Sequence, residues 1–121
     1  MSIGALVVDD QADIRLLVRM VVQGAGGGLF VKGEAGDGQE ALDRLDAVDP
    51  DVVLIDEMMP GLTGLETAVR IRERRPDVPI VLFSAHVDAA LRRKAEAAGI
   101  ALCVEKGSVE LLPDALRTVV A

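Results

Sequence analysis

Five polar side chains in this chain follow short apolar or strand-like runs: Asp9 and Asp10 after Ile3 to Val8, Asp56 after Val52 to Ile55, Ser84 after Ile80 to Phe83, and Lys106 after Ile100 to Glu105. Three carboxylates gathered in one cleft repel one another and raise the pKa of at least one. A divalent cation removes that conflict. Hard oxygen ligands suit Mg²⁺, which keeps several waters and is commonly shared between one or two carboxylates and a phosphate. Asp10 and Asp56 are the leading direct ligands, with Asp9 acting directly or through water. A carboxylate is also a competent nucleophile towards phosphorus when the incoming group is aligned and its charge neutralised. Asp56 is the expected nucleophile, with Mg²⁺ and Lys106 neutralising charge from two sides and the Ser84 hydroxyl donating to a phosphoryl oxygen.

This chemistry requires a scaffold that brings distant strand ends together. Val52-Val53-Leu54-Ile55 is an unbroken apolar run, as expected of a strand covered on both faces. Ile3 to Val8, Leu29 to Glu34, Ile80 to Ser84 and Ile100 to Glu105 complete five predicted strands, with Pro79 at a strand start, where proline is tolerated. Between them lie helical stripes: Ile14, Leu17, Val18, Val21 and Val22; Ala41, Leu42 and Leu45; Leu65, Ala68, Val69 and Ile71; Leu91, Ala95 and Ala98. Gly24 to Gly28 stops the first helix, Pro76 the third and Gly99 the fourth. The last helix is expected to start near Pro113 after a loose turn at 108–112, because proline suits the first helical position.

Strands alternating with helices imply an α/β fold with a doubly wound parallel sheet of five strands and five helices. In the order 2-1-3-4-5, strands one and three are neighbours. That adjacency brings Asp9, Asp10 and Asp56 to one edge, with Ser84 and Lys106 arriving from strands four and five.

The 121 residues fit one domain, 1–121, whose core must be aliphatic because Phe30 and Phe83 are the only aromatic residues. A net charge of −7 and the lack of aromatic platforms disfavour direct nucleic-acid binding by this domain. Cys103 is the only cysteine, which excludes an internal disulfide and a multi-cysteine zinc site. No apolar run is long enough for a membrane span, and no signal peptide is evident, so a reduced cytoplasmic setting is expected.

Taken together, Asp9-Asp10, Asp56 followed by Met59-Pro60 and Gly64, Ser84-Ala85, and Lys106 resemble the receiver domain of two-component response regulators, in order and spacing, over essentially the whole chain. The resemblance implies a flavodoxin-like, CheY-like fold and a phosphoacceptor, Asp56, loaded from a phosphohistidine of a sensor kinase or phosphotransfer protein. It further implies an Asp9/Asp10 metal pair, the Met58 backbone carbonyl as a third protein ligand, and Ser84 and Lys106 as the groups that meet the phosphoryl. Met58 and His86 would tune access of water to it. The signal would pass through helix four, strand five and helix five to a downstream protein, a fused output domain or a second copy of the chain.

Two departures stand out. Cys103 occupies the position where the family usually carries an aromatic switch residue, so ring rotation cannot report phosphorylation. Gly107 follows Lys106 where proline is common, a variation similar to receivers joined to LuxR-type helix-turn-helix domains.

Plainer readings compete with these. Asp10 or Asp13 could simply cap the first helix. His86 could be an exposed loop histidine, the Gly24 to Gly28 run a flexible turn, and Arg92, Arg93 and Lys94 a solvated helix face. Two other functions are a phosphate-independent interaction domain, motivated by Cys103, and an aspartyl-nucleophile phosphatase. The latter is weakened because Glu57 and Met58 follow Asp56 without a second, protonating aspartate.

Overall fold

A computed structural model describes residues 2–121. The strands are β1 (Ile3–Val8), β2 (Leu29–Ala35), β3 (Val52–Ile55), β4 (Ile80–Ser84) and β5 (Leu102–Glu105). The helices are α1 (Ala12–Gly24), α2 (Gly38–Val48), α3 (Gly64–Arg74), α4 (Ala89–Ala97) and α5 (Leu112–Val120). All strand pairs are parallel, in the order β2-β1-β3-β4-β5. Each crossover therefore needs a helix, and the alternation seen in the sequence supplies one.

The sheet divides the apolar side chains into two layers. Leu6, Val8, Val53, Ile55, Ile80 and Leu82 point towards α2, α3 and α4. Ala5, Val7, Val52, Leu54, Val81 and Phe83 point towards α1 and α5. Such alternation is the two-residue period of a strand, and here both faces are covered, so the runs read as continuously apolar. Each Leu or Ile so buried contributes about 1.5–3 kcal/mol relative to exposure.

Two predicted stripes are wider than the real ones. Leu17 is 39% exposed and Val69 42%, so neither is a core residue. On α1 the buried anchors are Val18 and Val22, and on α3 Thr67 takes a fully buried place. The Thr67 hydroxyl is accommodated because it donates to the Thr63 carbonyl at 2.8 Å. At the far edge, β5 begins at Leu102, two residues later than predicted. Ala101 N–H bonds the Ile80 carbonyl at 2.8 Å as the chain enters the ladder.

After α1 the chain turns through Gly26, Gly27 and Gly28, all at positive φ. A side chain would strain all three, so the run serves as the turn from α1 into β2. A 3-10 turn over Lys106–Leu111 precedes α5, with Pro113 in the first turn of the regular helix, as its missing N–H requires.

Candidate functional site

Asp56 is placed by β3 and held by its own backbone, whose N–H bonds the Val8 carbonyl at 3.0 Å. Asp9 follows β1, its N–H bonded to the Ala35 carbonyl of β2 at 3.1 Å. The β1–β3 pairing, with Val8 opposite Ile55, thus sets the two acids side by side. Asp9, Asp10 and Asp56 each offer a carboxylate oxygen, and these oxygens lie within 4.8 Å of one another. Asp9 and Asp56 are only 2% and 4% exposed, whereas Asp10 faces solvent.

Lys106 enters from the end of β5. Its Nζ lies 2.9 Å from Asp9 Oδ2 and 3.4 Å from Asp56 Oδ2. The same ammonium stands 6.0 Å from the centre of the Phe83 ring, at the outer limit of a cation–π contact. Burial raises the Asp56 pKa, the Asp9 charge raises it further, and Lys106 and the Met58 N–H oppose the shift. Burial would depress the Lys106 pKa, but its contact with Asp9 and the charges of Asp56 and Asp9 outweigh that and raise it.

One ammonium cannot balance three carboxylates. Among the described residues, Asp9 Oδ2 is a buried side-chain oxygen that accepts no hydrogen bond of good geometry. Its compensation is the charge of Lys106. A cluster of hard oxygens with residual negative charge and an unsatisfied buried lone pair fits a small divalent cation.

The alternative role for the acidic pair, helix capping, is not what they do. Gln11 occupies the N-cap of α1 and no side chain caps that helix. Asp9 Oδ1 accepts instead from the Gln11 N–H at 2.9 Å, which turns the other oxygen towards Lys106 and Asp56.

The loop after Asp56 is held by two devices. Thr63 and Glu66 form a capping box at the start of α3, and Glu57 accepts from the Leu65 N–H at 2.9 Å. Gly64 packs directly on the site: a Cβ there would lie 2.2 Å from the Asp56 carbonyl oxygen and 2.8 Å from the Glu57 Cα. Backbone atoms cannot swing aside as a side chain could. We therefore expect Gly64→Ala to destabilise the domain by about 3 kcal/mol, the upper part of the overpacking range. Gly61→Ala has open space but a φ of 78°, and should cost about 1–2 kcal/mol. Denaturant midpoints that rank the two variants in the opposite order would refute this account of the loop.

Ser84 ends β4, buried, and lines a cavity of about 400 Å³ with Met58, His86, Leu91 and Lys94. Met58 is 75% exposed and His86 is exposed too, so both stand at the mouth of the site. Cys103 is apart from this group. It is half-buried on the α4 side of β5, in a second cavity of about 350 Å³ with Arg92, Ala95 and Ile100, and burial pushes its thiol pKa up.

Two site neighbours escaped the sequence reading. Arg15 of α1 donates to the Asp9 carbonyl at 2.6 Å and pairs with Glu34 at 3.1 Å, so it anchors the backbone of the acid pair. Glu105 accepts from the Val87 N–H at 3.1 Å. The only signal for Glu105 was a charge within a short, otherwise apolar strand; for Arg15 there was none.

The family model for the response regulator receiver domain matches residues 5–117. A transcriptional activator protein, ExaE of Pseudomonas putida, is 38% identical over 120 residues, which cover 98% of this chain and 55% of that protein. A protein-glutamate methylesterase/protein-glutamine glutaminase of Geobacter metallireducens is 40% identical over 108 residues, 89% of this chain and 29% of the relative. The chain thus spans about half or less of the length of these relatives. Among solved structures, a LuxR-family two-component response regulator from Aurantimonas superposes with a TM-score of 0.93 at 28% identity, covering 99% of this chain and 86% of that one. With the strand order, the acid trio at the β1 and β3 ends and the lysine after β5 all in place, the chain belongs to the response regulator receiver domain family.

Proposed function

We propose that Asp56 accepts a phosphoryl group from a phosphohistidine on a sensor kinase or phosphotransfer protein, and that the event alters the surface formed by α4, β5 and α5. A receiver domain is a phosphoacceptor and not a turnover enzyme. The observation that carries the assignment is the Lys106 ammonium 3.4 Å from a buried Asp56 carboxylate inside an acid cluster.

A carboxylate oxygen of Asp56 attacks phosphorus; the new O–P bond forms as the P–N bond to the donor imidazole breaks, and the imidazole leaves with the electron pair. The product is a mixed anhydride. Lys106 is placed to pair with a phosphoryl oxygen, and Ser84 at the end of β4 supplies a hydroxyl donor. Asp9, Asp10 and Asp56, with the Met58 carbonyl, would hold Mg²⁺, which when bound neutralises charge on the acids and on the phosphoryl group. Met58 and His86, exposed beside Ser84, regulate the approach of the water that later hydrolyses the anhydride.

Adding about two negative charges next to Lys106 changes the balance at the end of β5. Cys103 lies on that strand, and its thiol cannot swing as an aromatic ring does, so the signal passes through the β4–α4 loop and the packing of α4. Its receivers are a downstream protein, an output domain on the same polypeptide, or a second copy of the chain. The net charge of −7 speaks against direct nucleic-acid binding by the domain itself. No described helix is long and apolar enough to cross a membrane.

Incubation with acetyl phosphate and Mg²⁺ should add one phosphoryl group, a mass gain of about 80 Da, and a chelator should prevent it. An unchanged mass at saturating donor and Mg²⁺ would remove the assignment.

A further inference from the structure

Glu105 is the residue before Lys106, and in the β4–β5 ladder it stands opposite Ser84. Its side chain is half-buried. It reaches across to the β4–α4 loop and accepts from the Val87 N–H at 3.1 Å. Only Ala85 and His86, both exposed, separate Ser84 from that amide. Beyond it, Val87 is 8% exposed, and Asp88 caps α4 through the Leu91 N–H at 2.8 Å. Among the described residues, no other side chain of the sheet makes a hydrogen bond to this loop.

A six-residue path therefore links the two groups that face the incoming phosphate: Lys106, Glu105, the Val87 amide, and back through His86 and Ala85 to Ser84. Without the Glu105 contact the backbone between Ser84 and Asp88 would keep only its ends, at the strand and the cap of α4, and the non-directional packing of the buried Val87 side chain. A free loop samples more conformations, and a hydroxyl at its base is then aligned only part of the time.

We propose that Glu105 is a positioning residue for phosphoryl transfer: by holding the Val87 amide, its carboxylate keeps the Ser84 hydroxyl in register with the Lys106 ammonium. The proposal rests on the assignment of Asp56 as phosphoacceptor. Glu105 touches neither Asp56 nor the phosphoryl group; it acts through Ser84.

The test compares Glu105→Ala and Glu105→Gln by the rate of mass gain from acetyl phosphate with Mg²⁺. Alanine removes the acceptor and should slow uptake by about three- to tenfold, the equivalent of one ordinary hydrogen bond. Glutamine keeps a carbonyl acceptor and should stay within about twofold of wild type. In a Ser84→Ala background, Glu105→Ala should change the rate by less than about twofold, because the step it assists is already lost. In the unphosphorylated protein the Val87 amide should exchange with solvent at least about tenfold faster in Glu105→Ala and remain protected in Glu105→Gln.

Wild-type uptake by Glu105→Ala, equal impairment of the alanine and glutamine variants, full additivity with Ser84→Ala, or an unchanged Val87 amide would each overturn the positioning role. A wild-type protein that takes up no phosphoryl group would instead overturn the phosphoacceptor assignment, and the positioning role with it. A melting curve for each variant separates these results from a general loss of folding.

Discussion

Asparagine at position 56 is expected to abolish phosphoryl uptake and, in the same protein, to raise its stability at neutral pH. The first effect follows from chemistry: an amide oxygen is a poor nucleophile towards phosphorus, so the mass gain of about 80 Da should fall below detection. The second follows from electrostatics. Burial and the Asp9 charge raise the Asp56 pKa above its ordinary value of 3.8, which means that the fold favours the protonated form. Between the unfolded and folded pKa values the native state binds more protons than the unfolded one. Stability therefore falls as pH rises through that window and stays lowered above it.

The substitution removes this penalty, and each gain of about 1 kcal/mol would raise the melting temperature by about 4 °C in a domain of this size. The gain should shrink as the pH falls through the folded pKa towards 3.8, and little of it should remain below 3.8, where the wild-type carboxyl is mostly neutral in both states. Melting curves with chelator at pH 7 and pH 3.5 suffice. A variant that melts below wild type at pH 7 would show that Asp56 is a net stabilising charge and that the cluster was misread.

Methionine at position 106 keeps the long apolar stem and removes the charge, and three consequences of different sign should follow. Asp9 and Asp56 lose the ammonium 2.9 and 3.4 Å away and remain buried. Breaking such a pair from one side costs about 2–3 kcal/mol where the site is partly hydrated, somewhat less than for a fully buried pair. Mg²⁺ affinity should nevertheless rise several-fold, because Lys106 and the cation compete for the same carboxylate charge. Phosphoryl uptake should fall by at least about tenfold, since a charge-assisted contact to the phosphate is gone.

Calorimetric titration reads the ion affinity directly, which is convenient in a chain without tryptophan or tyrosine. Weaker Mg²⁺ binding by Lys106→Met would mean that the lysine organises the acids more than it screens them. The lysine's own contribution also has a pH signature. Its folded pKa is raised above 10.5, so the stability it provides is fully present below that value and is lost as pH climbs through the folded one.

Much of this site could be read from residue order because strand ends are strong positional markers. The run Val52–Ile55 has no polar break until Asp56, and a parallel sheet leaves only a few places where such a carboxylate can emerge. The same logic located Asp9, Ser84 and Lys106. Residue periodicity was a weaker guide where a helix is only partly covered. Leu17 and Val69 fit the spacing of a buried stripe, yet α1 also leaves Leu16 and Met20 exposed, so its apolar arc is wider than the surface that covers it.

Links made by side chains to a distant backbone had no periodic trace at all. Arg15 reaches the Asp9 carbonyl and Glu105 the Val87 amide only because of how helices and loops lie in space. A residue's type tells what it can bond; its partner is fixed by the assembled tertiary structure.

Helices that share one face of the sheet are not equally anchored. α2 sinks Gly38, Ala41, Leu42, Leu45 and Val48 beneath the surface, while α4, nine residues long, buries only Ala95. Local unfolding in a folded domain begins where the fewest apolar contacts must be broken. α4 is therefore the helix most easily peeled from the sheet, and under the proposed function the free energy of an Asp56 anhydride would be spent there while the other helices keep their packing. A lightly moored helix beside a firmly built reaction centre lets the same small domain be both a stable scaffold and a responsive one.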